Sequence, residues 1–227
     1  MADELSSAIA SQHARARWTT YLLWICIGLD AAAVGSGLMQ RALLSRIAAG
    51  EPLGSGEADG NDARVQLIGV MQLCAFVLTA IVWLVWLHRA YANLRLVGSR
   101  KSQFTPGWAV GYWFVPVFNL FRAYQIVLDL WLRSDNANAA DSVAALPRPQ
   151  LLPAWWALYL LSEFAARFAA SLSTDGHTAA ELIGATHADI VADALSLFAG
   201  ILAIAVVRGI DARQQRLAAP VGGTLHP

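Results

Sequence analysis

Long runs of apolar residues dominate the hydrophobic pattern of the chain. Four runs of about twenty residues cover about 18–40, 66–87, 154–172 and 188–207. Because a helix rises 1.5 Å per residue, a run of this length crosses the roughly 30 Å of hydrocarbon in a bilayer. The pattern therefore predicts an all-α integral membrane protein with four transmembrane helices.

A further apolar stretch, 107–133, is interrupted by Pro116. Proline lacks a backbone N–H and disfavours helical geometry at the residue before it, here Val115. The nine residues of this stretch before Pro116 would rise only about 13 Å as a helix. The sequence thus predicts a Pro-broken segment, which is either one kinked span or a re-entrant or interfacial helical segment that returns to the side it entered.

The distribution of Lys and Arg outside the apolar runs favours the second alternative, because cytoplasmic flanks of membrane proteins are enriched in these residues. If the broken segment returns, only Arg41, Arg46 and Arg64 lie outside, and eleven basic residues lie inside. Those eleven are Arg15, Arg17, Arg89, Arg95, Arg100, Lys101, Arg133, Arg148, Arg208, Arg213 and Arg216. If the segment crosses, the division becomes about six inside and eight outside, which inverts the rule.

This distribution predicts a cytoplasmic N-terminal tail (1–17), a single helical membrane domain (18–208) and a cytoplasmic C-terminal tail (209–227). Fifteen of the sixteen basic residues are arginine, a bias typical of a GC-rich bacterial genome, so the expected location is the cytoplasmic (inner) membrane of a bacterium. The composition agrees, because only 14% of the residues are charged, whereas soluble domains carry roughly 25%. The 16 basic and 16 acidic residues cancel, so no net charge favours nucleic acid as a partner.

Ionisable residues inside the predicted spans are the first set of candidate site residues: Asp30, Glu163, Arg167, Asp189 and Asp193. Such residues cost about 2.5–3.5 kcal/mol each at membrane depth and usually face a partner inside the bundle. Glu163 and Arg167 are four residues apart on one helix, as are Asp189 and Asp193. We expect a structural network in which Arg167 neutralises the carboxylates and holds the first, fourth and last spans together.

The same carboxylates admit a second interpretation. Carboxylates near the bilayer midplane exchange protons when water reaches them, so a small transporter or an ion- or proton-conducting protein is the alternative function. Transporters usually contain paired broken helices, and only one broken segment is visible here. The sequence therefore favours a non-enzymatic structural, regulatory or partner-binding role.

Polar residues recur every three or four positions along the second half of the broken segment and share one face of a helix. This polar stripe consists of Asn119, Arg122, Gln125, Asp129 and Arg133. We expect the helix either to lie in the membrane interface with the stripe in water or to pack the stripe against the bundle. A ligand or ion pathway lined by Arg122 and Asp129 is a further alternative.

The sequence suggests two classes of partner besides the bilayer itself. Arg89, Arg95, Arg100 and Lys101 suit anionic lipid head groups at the inner leaflet. Glycines in the first span allow close approach of another helix, which is compatible with a homo-oligomer or a protein partner; they are Gly28, Gly35 and Gly37.

The chain carries no motif that indicates catalysis or a cofactor. It contains no Gly-x-Ser-x-Gly, phosphate-binding Gly-Lys or His-Glu-x-x-His sequence. His177, Glu181 and His187 match no zinc-site spacing, so we expect neither a metal nor a cofactor. Cys26 and Cys74 each lie inside an apolar run, which excludes a disulfide framework.

One string in the chain is long and unusual: Phe104-Thr105-Pro106-Gly107-Trp108-Ala109-Val110-Gly111-Tyr112-Trp113-Phe114-Val115-Pro116, followed by Asn119 and Gln125. With Trp155-Trp156 and Val206-Val207-Arg208, it resembles the bacterial membrane family known as domain of unknown function 4328, over roughly 65–216. Ala123 departs from the proline that the family often has there. The resemblance implies a multi-pass membrane protein and brings no established activity or catalytic residue.

The family string and the polar stripe together supply the second set of candidate site residues. These are Pro106, Gly107, Trp108, Trp113, Pro116, Asn119, Arg122, Gln125 and Asp129.

Overall fold

The structure, a computed structural model, describes residues 2–96, 103–135, 149–175 and 178–218, and every regular element among them is a helix. The helices are α1 (Ala2–Ala48), α2 (Glu57–Leu96), α3 (Pro106–Gly111), α4 (Phe118–Asp135), α5 (Leu151–Asp175) and α6 (Ala179–Ala218). The all-helical prediction is therefore confirmed for this part of the chain. The following sequence positions of interest lie outside the described residues: Arg100, Lys101, Arg148, His177, the side chain of Arg95 and the last nine residues of the C-terminal tail.

Three of the described helices are long and apolar enough to cross a membrane: Ser7–Ala48 within α1, Glu57–Leu94 within α2 and Ala179–Leu217 within α6. The predicted fourth span, 154–172, does form a helix, α5, but α5 is not among these three. Glu163 and Arg167 interrupt its apolar sequence and lower its hydropathy. An integral membrane protein is thus supported by three helices rather than by the four that the sequence pattern predicted.

Local sequence explains where the shorter elements begin. Thr105 is the N-cap of α3, and its hydroxyl accepts a hydrogen bond from the Trp108 backbone N–H at 3.3 Å. Pro106 occupies the first turn, where a missing N–H costs nothing. At the start of α6, the Glu181 carboxylate accepts from the Thr178 N–H and the Thr178 hydroxyl accepts from the Glu181 N–H. This reciprocal capping box fixes the start of α6.

The break predicted at Pro116 is confirmed, because α3 ends at Gly111 and α4 begins at Phe118. Between them the Phe118 N–H donates to the Pro116 carbonyl at 2.7 Å. Val117, inside this tight turn, has φ = +67°. A β-branched residue rarely adopts a positive φ, since its side chain crowds the backbone there. The turn is therefore strained, and it redirects the chain between the two helices.

The described residues form two compact units. Unit 1 consists of Met1–Tyr21, Thr79–Pro153 and Ile204–Pro227, and unit 2 consists of Leu22–Leu78 and Ala154–Ala203. The core of unit 1 contains large side chains that are almost completely buried, among them Trp86, Leu87, Leu94, Ile126, Leu130 and Ile210. The second half of α4 lies in this core, since every residue from Ile126 to Ser134 except Leu128 is buried.

Unit 2 has a different distribution of side chains. Alanines fill much of its interior, whereas many large apolar side chains face outward, including Leu67, Leu73, Phe76, Phe164, Phe168 and Phe198. Small residues inside and large apolar residues outside are typical of helices that pack in lipid, where hydrocarbon solvates the outer face. This unit therefore has the surface expected of a membrane-embedded bundle.

The contacts within unit 2 fix the relative directions of its long helices. Asp30 and Ser36 of α1 contact Gln72 and Arg64 of α2, so the two helices run antiparallel. Ile27 and Gly37 of α1 lie against Gly200 and Ile190 of α6, so α1 and α6 are also antiparallel. It follows that α2 and α6 run in the same direction in this unit.

Gly209 makes the closest glycine contact in unit 1. A Cβ added there would lie 2.5 Å from the ring of Trp131, and the same ring stacks under the Arg213 guanidinium at 3.8 Å. Any side chain at position 209 would therefore displace the ring from a well-packed core.

We expect Gly209→Ala to lower the free energy of unfolding by about 1–3 kcal/mol, the usual cost of overpacking a core. Thermal unfolding in detergent, followed by tryptophan fluorescence, measures the change. Gly28→Ala is the matched control, because nothing lies within 4 Å of a Cβ at Gly28. Equal midpoints for the two variants would contradict the tight contact.

Candidate functional site

Two carboxylates of unit 2 share one amide donor. The Gln72 Nε2 donates to Asp30 Oδ1 and to Asp193 Oδ1, each at 3.0 Å. Ser196 also hydrogen-bonds to Asp30. Asp30 is buried, and Asp193 is half-buried. One neutral side chain therefore joins α1, α2 and α6 at a pair of acidic groups.

A cavity of about 230 Å³ adjoins this cluster within unit 2. Its walls come from α1, α2 and α6, and its polar lining consists of Ser36, Gln40, Gln72, Thr186, Asp189 and Asp193. Asp189 and Asp193 lie one turn apart on the same face of α6. The carboxylate of Asp189 makes no hydrogen bond or ion pair with the described residues. The cavity thus presents anionic and amide groups next to apolar walls.

The predicted network of Asp30, Glu163, Arg167 and Asp193 divides into two separate groups. Asp30 and Asp193 meet through Gln72, as predicted for the two carboxylates. Arg167 instead pairs with Glu163 on its own helix at 3.2 Å, and 69% of its side chain is exposed. Among the described contacts Arg167 therefore does not neutralise Asp30 or Asp193. Because Glu163 and Arg167 are four residues apart, they pair with each other along α5 and need no partner from another helix.

Unit 1 contains a buried ion pair that the sequence did not predict. The Arg133 Nε donates to Asp129 Oδ1 at 2.8 Å, and the two side chains are only 6% and 3% exposed. The Tyr91 hydroxyl donates to Asp129 Oδ2. The carboxylate of Asp129 is thus neutralised and hydrogen-bonded on both oxygens, as a buried charge requires.

The polar stripe of α4 does not form one uniform surface. Gln125 is exposed and accepts a hydrogen bond from half-buried Arg122 at 2.9 Å, whereas Asp129 and Arg133 lie in the core. Of the two predicted alternatives, the solvated stripe fits only the first half, and the second half packs into the core instead. No described contact joins Arg122 to Asp129, so the structure gives no pathway lined by these two residues.

Two further glutamines were missed by sequence reasoning. Gln12 of α1 donates to the Trp86 carbonyl at 3.2 Å, and Gln214 of α6 donates to the Ala90 carbonyl at 2.9 Å. Both side chains are 1% exposed, and the two acceptors lie one turn apart on α2. Both glutamines lie in the polar segments 1–17 and 209–227 that were predicted to be cytoplasmic tails, so the hydrophobic pattern carried no signal for their burial.

Several residues of the family string are structural. Thr105 and Pro106 start α3, Pro116 separates α3 from α4, and Trp113 packs against Trp83 with ring centroids 6.2 Å apart. Trp108 is 56% exposed and stacks on Tyr112. Gly107 is exposed, with nothing within 4 Å of its Cβ position, and Asn119 is half-buried with its Oδ1 atom unpartnered. These residues therefore build the break between α3 and α4.

For the buried ion pair, we expect Asp129→Ala to reduce the free energy of unfolding by about 3–5 kcal/mol, because Arg133 loses its buried counter-charge. Tyr91→Phe should cost about 1 kcal/mol, the value of one hydrogen bond. Denaturant unfolding in detergent measures both. Gln125→Ala serves as the exposed control on the same helix, and a comparable loss there would count against this assignment.

For the bridging amide, we expect Gln72→Leu to cost about 1–3 kcal/mol, because two poorly solvated carboxylates lose their shared donor. Arg167→Ala should change stability by less than about 0.5 kcal/mol, as is usual for exposed ion pairs. The comparison uses thermal midpoints of the two variants in the same detergent. The reverse order of effects would restore Arg167 as the centre of the network.

The model of one protein family, Domain of unknown function (DUF4328), matches residues 49–212. The match includes Gln72, Asp193 and the Tyr91–Asp129–Arg133 group, and it leaves out Asp30. No curated protein and no solved structure matches the chain. Because the matched residues cover well over half of the sequence, the chain belongs to the family of Domain of unknown function (DUF4328).

Proposed function

We propose that the protein is a non-enzymatic integral membrane protein that acts by binding at the cavity of unit 2. The observation that carries this proposal is the cavity itself, where Asp189, Asp193 and Gln72 face a space between three helices. Binding pockets typically combine apolar walls with a few convergent polar groups. The Asp129–Arg133 pair of unit 1, by contrast, is buried and each charge has its partner, which supports a structural role for that pair.

We further propose four crossings, with both termini in the cytoplasm of a bacterium and the protein in its inner membrane. Within unit 2, α2 and α6 run in the same direction. If both helices cross the bilayer, the chain between Leu96 and Ala179 has to return to the side where α2 began. An odd number of crossings in that interval is therefore required.

The helix lengths support α5 as this additional crossing. Its 25 residues extend about 37 Å, whereas the 18 residues of α4 extend about 27 Å. The Glu163–Arg167 pair reduces the cost of burying its two charges, because each neutralises the other. The excess of Lys and Arg on the proposed cytoplasmic side supports the same arrangement, in which α3 and α4 form a re-entrant or interfacial segment.

Exposed aromatic residues support contact of this segment with lipid. Trp108, Phe114, Phe118 and Phe121 are each at least half exposed, and aromatic side chains are favoured at the membrane interface. We propose anionic lipid head groups as partners of the basic residues that follow α2's apolar run, of which Arg89 is described and exposed. Gly28 and Gly35, which face open space, leave room for a second copy or a protein partner.

Conduction of protons or cations is a second candidate function. It is favoured by the position of Asp193, which both lines the cavity and shares Gln72 with buried Asp30. A proton relay needs at least one carboxylate that reaches water and a second carboxylate close to the first. Binding alone requires access from one side, whereas conduction requires access from both.

Cysteine labelling with a membrane-impermeant maleimide tests the topology. Single cysteines replace the exposed residues Ser11, Ser55, Gln150 and Thr178 in a background without Cys26 and Cys74. We expect labelling of positions 11 and 150 from the cytoplasm and of positions 55 and 178 from outside. Labelling of position 150 from outside would overturn the four-crossing arrangement.

The same assay separates the two candidate functions. Cysteine at position 193 should label from outside, because the residue lines the cavity, and cysteine at position 30 should not label. Labelling of position 30 from the cytoplasm would favour conduction, and flux of protons or sodium into vesicles would then be measured. A folded protein in which position 193 stays unlabelled from both sides would contradict the binding proposal.

A further inference from the structure

The acidic groups of the cavity lack an internal counter-charge. Asp189 and Asp193 contribute two carboxylates one turn apart, and the described contacts bring them a neutral amide, Gln72, and no cation. Two arginines adjoin the lining in sequence, Arg41 after Gln40 and Arg64 before Val65. Arg41 is exposed, and Arg64 directs its hydrogen bonds to Ser36 and Asn61. Asp189 is exposed and Asp193 is half-buried, and both line the cavity, so a cation that enters the cavity from solution can pair with either carboxylate.

The size of the cavity limits the kind of cation. A volume of about 230 Å³ equals that of roughly seven water molecules at about 30 Å³ each, which leaves room for an organic molecule of several carbon atoms. A directly bound divalent metal needs six or more oxygen ligands for calcium or an octahedral set for magnesium. No group of three or more metal-binding side chains occurs among the described residues.

The lining also has the hydrogen-bonding pattern that suits an ammonium group. An alkylammonium has three N–H donors and no acceptor. Asp189 and Asp193 offer carboxylate acceptors, and the Thr186 oxygen remains able to accept because its hydrogen is donated to the Leu182 carbonyl at 2.8 Å. Apolar walls from Ala33, Val65, Ile68 and Ile190 would contact the alkyl chain.

We infer that the cavity of unit 2 binds a small primary ammonium compound, with Asp189 and Asp193 holding the charged group. This inference rests on the proposed binding function and names the chemical class of its ligand. The same group occurs on free amines and on lipid head groups such as ethanolamine phospholipids. In the four-crossing arrangement, the cavity lies toward the end of the spans where the α1–α2 connection faces outward.

The test uses n-butylammonium with the full-length protein purified in a detergent free of amines. Binding is measured by calorimetry and by the rise in thermal midpoint. Tetramethylammonium, which has no N–H donor, and sodium chloride are added at the same ionic strength. We expect saturable binding of n-butylammonium and no saturable effect of the other two salts. An equal effect of all three would overturn the inference.

Variants locate the site. Asp193→Asn and Asp189→Asn should each weaken n-butylammonium binding by at least about tenfold, the effect of losing one charge-assisted hydrogen bond. Gly69→Leu should abolish binding by filling the cavity, since Gly69 lines it and nothing lies within 4 Å of its Cβ position. Gly28→Leu is the matched control and should bind normally. Normal binding by folded Gly69→Leu would overturn the inference.

A final comparison distinguishes a free amine from a lipid head group as the ligand. It also distinguishes failure of the ammonium inference from failure of the proposed binding function. In nanodiscs, ethanolamine phospholipid should compete with n-butylammonium if a lipid head group reaches the site, whereas choline phospholipid should not. Equal affinity in both lipids would leave a free amine as the ligand. If position 193 labels from outside but n-butylammonium does not bind, the ammonium inference fails while the proposed binding function stands. If position 193 stays unlabelled, both fail.

Discussion

Three glutamine side chains donate hydrogen bonds that join the long helices within each unit, beside the Arg64–Ser36 contact of unit 2 and the His13–Asp211 pair of unit 1. Gln12 and Gln214 donate to successive turns of α2 in unit 1, and Gln72 joins two carboxylates in unit 2. In a protein whose helices face hydrocarbon, apolar packing alone gives little preference for one rotation of a helix over another. A buried amide does give such a preference, because any other rotation leaves its polar atoms without a partner. The arrangement of helices in each unit therefore depends on these neutral side chains.

The apolar pattern was sufficient to predict the helical class and the break at Pro116, because both depend on local properties of the sequence. Helix rotation depends on contacts between distant residues, and here the sequence was less informative. Glu163 and Arg167 were predicted to face the interior of the bundle because their positions in the predicted span put them at membrane depth. Depth does not specify which face of a helix points inward, and the structure puts Arg167 largely outside.

Burial of the ion pair in α4 illustrates the same limit. The stripe from Asn119 to Arg133 has regular spacing, which predicts a shared helical face but not what that face contacts. Its second half lies in the core of unit 1, where Asp129 and Arg133 neutralise each other. Its first half carries exposed Gln125 and borders the aromatic residues near the turn. One helix thus passes from an exposed environment to a buried one, which a single pattern along the sequence does not reveal.

The Asp129 group and the Asp189–Asp193 pair differ in how their charge is compensated, and this difference is the basis for proposing a structural role for the first and binding for the second. Asp129 pairs with the Arg133 guanidinium and accepts a hydrogen bond from the Tyr91 hydroxyl, both in its own unit, so its contacts are complete without any ligand. Asp189 and Asp193 receive no cation from the described residues of theirs, and they face a cavity. In the proposed complex, the bound cation compensates their charge. Because a ligand that binds only the folded state stabilises it, occupancy of this cavity and stability of unit 2 are thermodynamically coupled. The protein is then less stable when the site is empty, and α1, α2 and α6, which form the cavity, are the helices whose packing responds to binding.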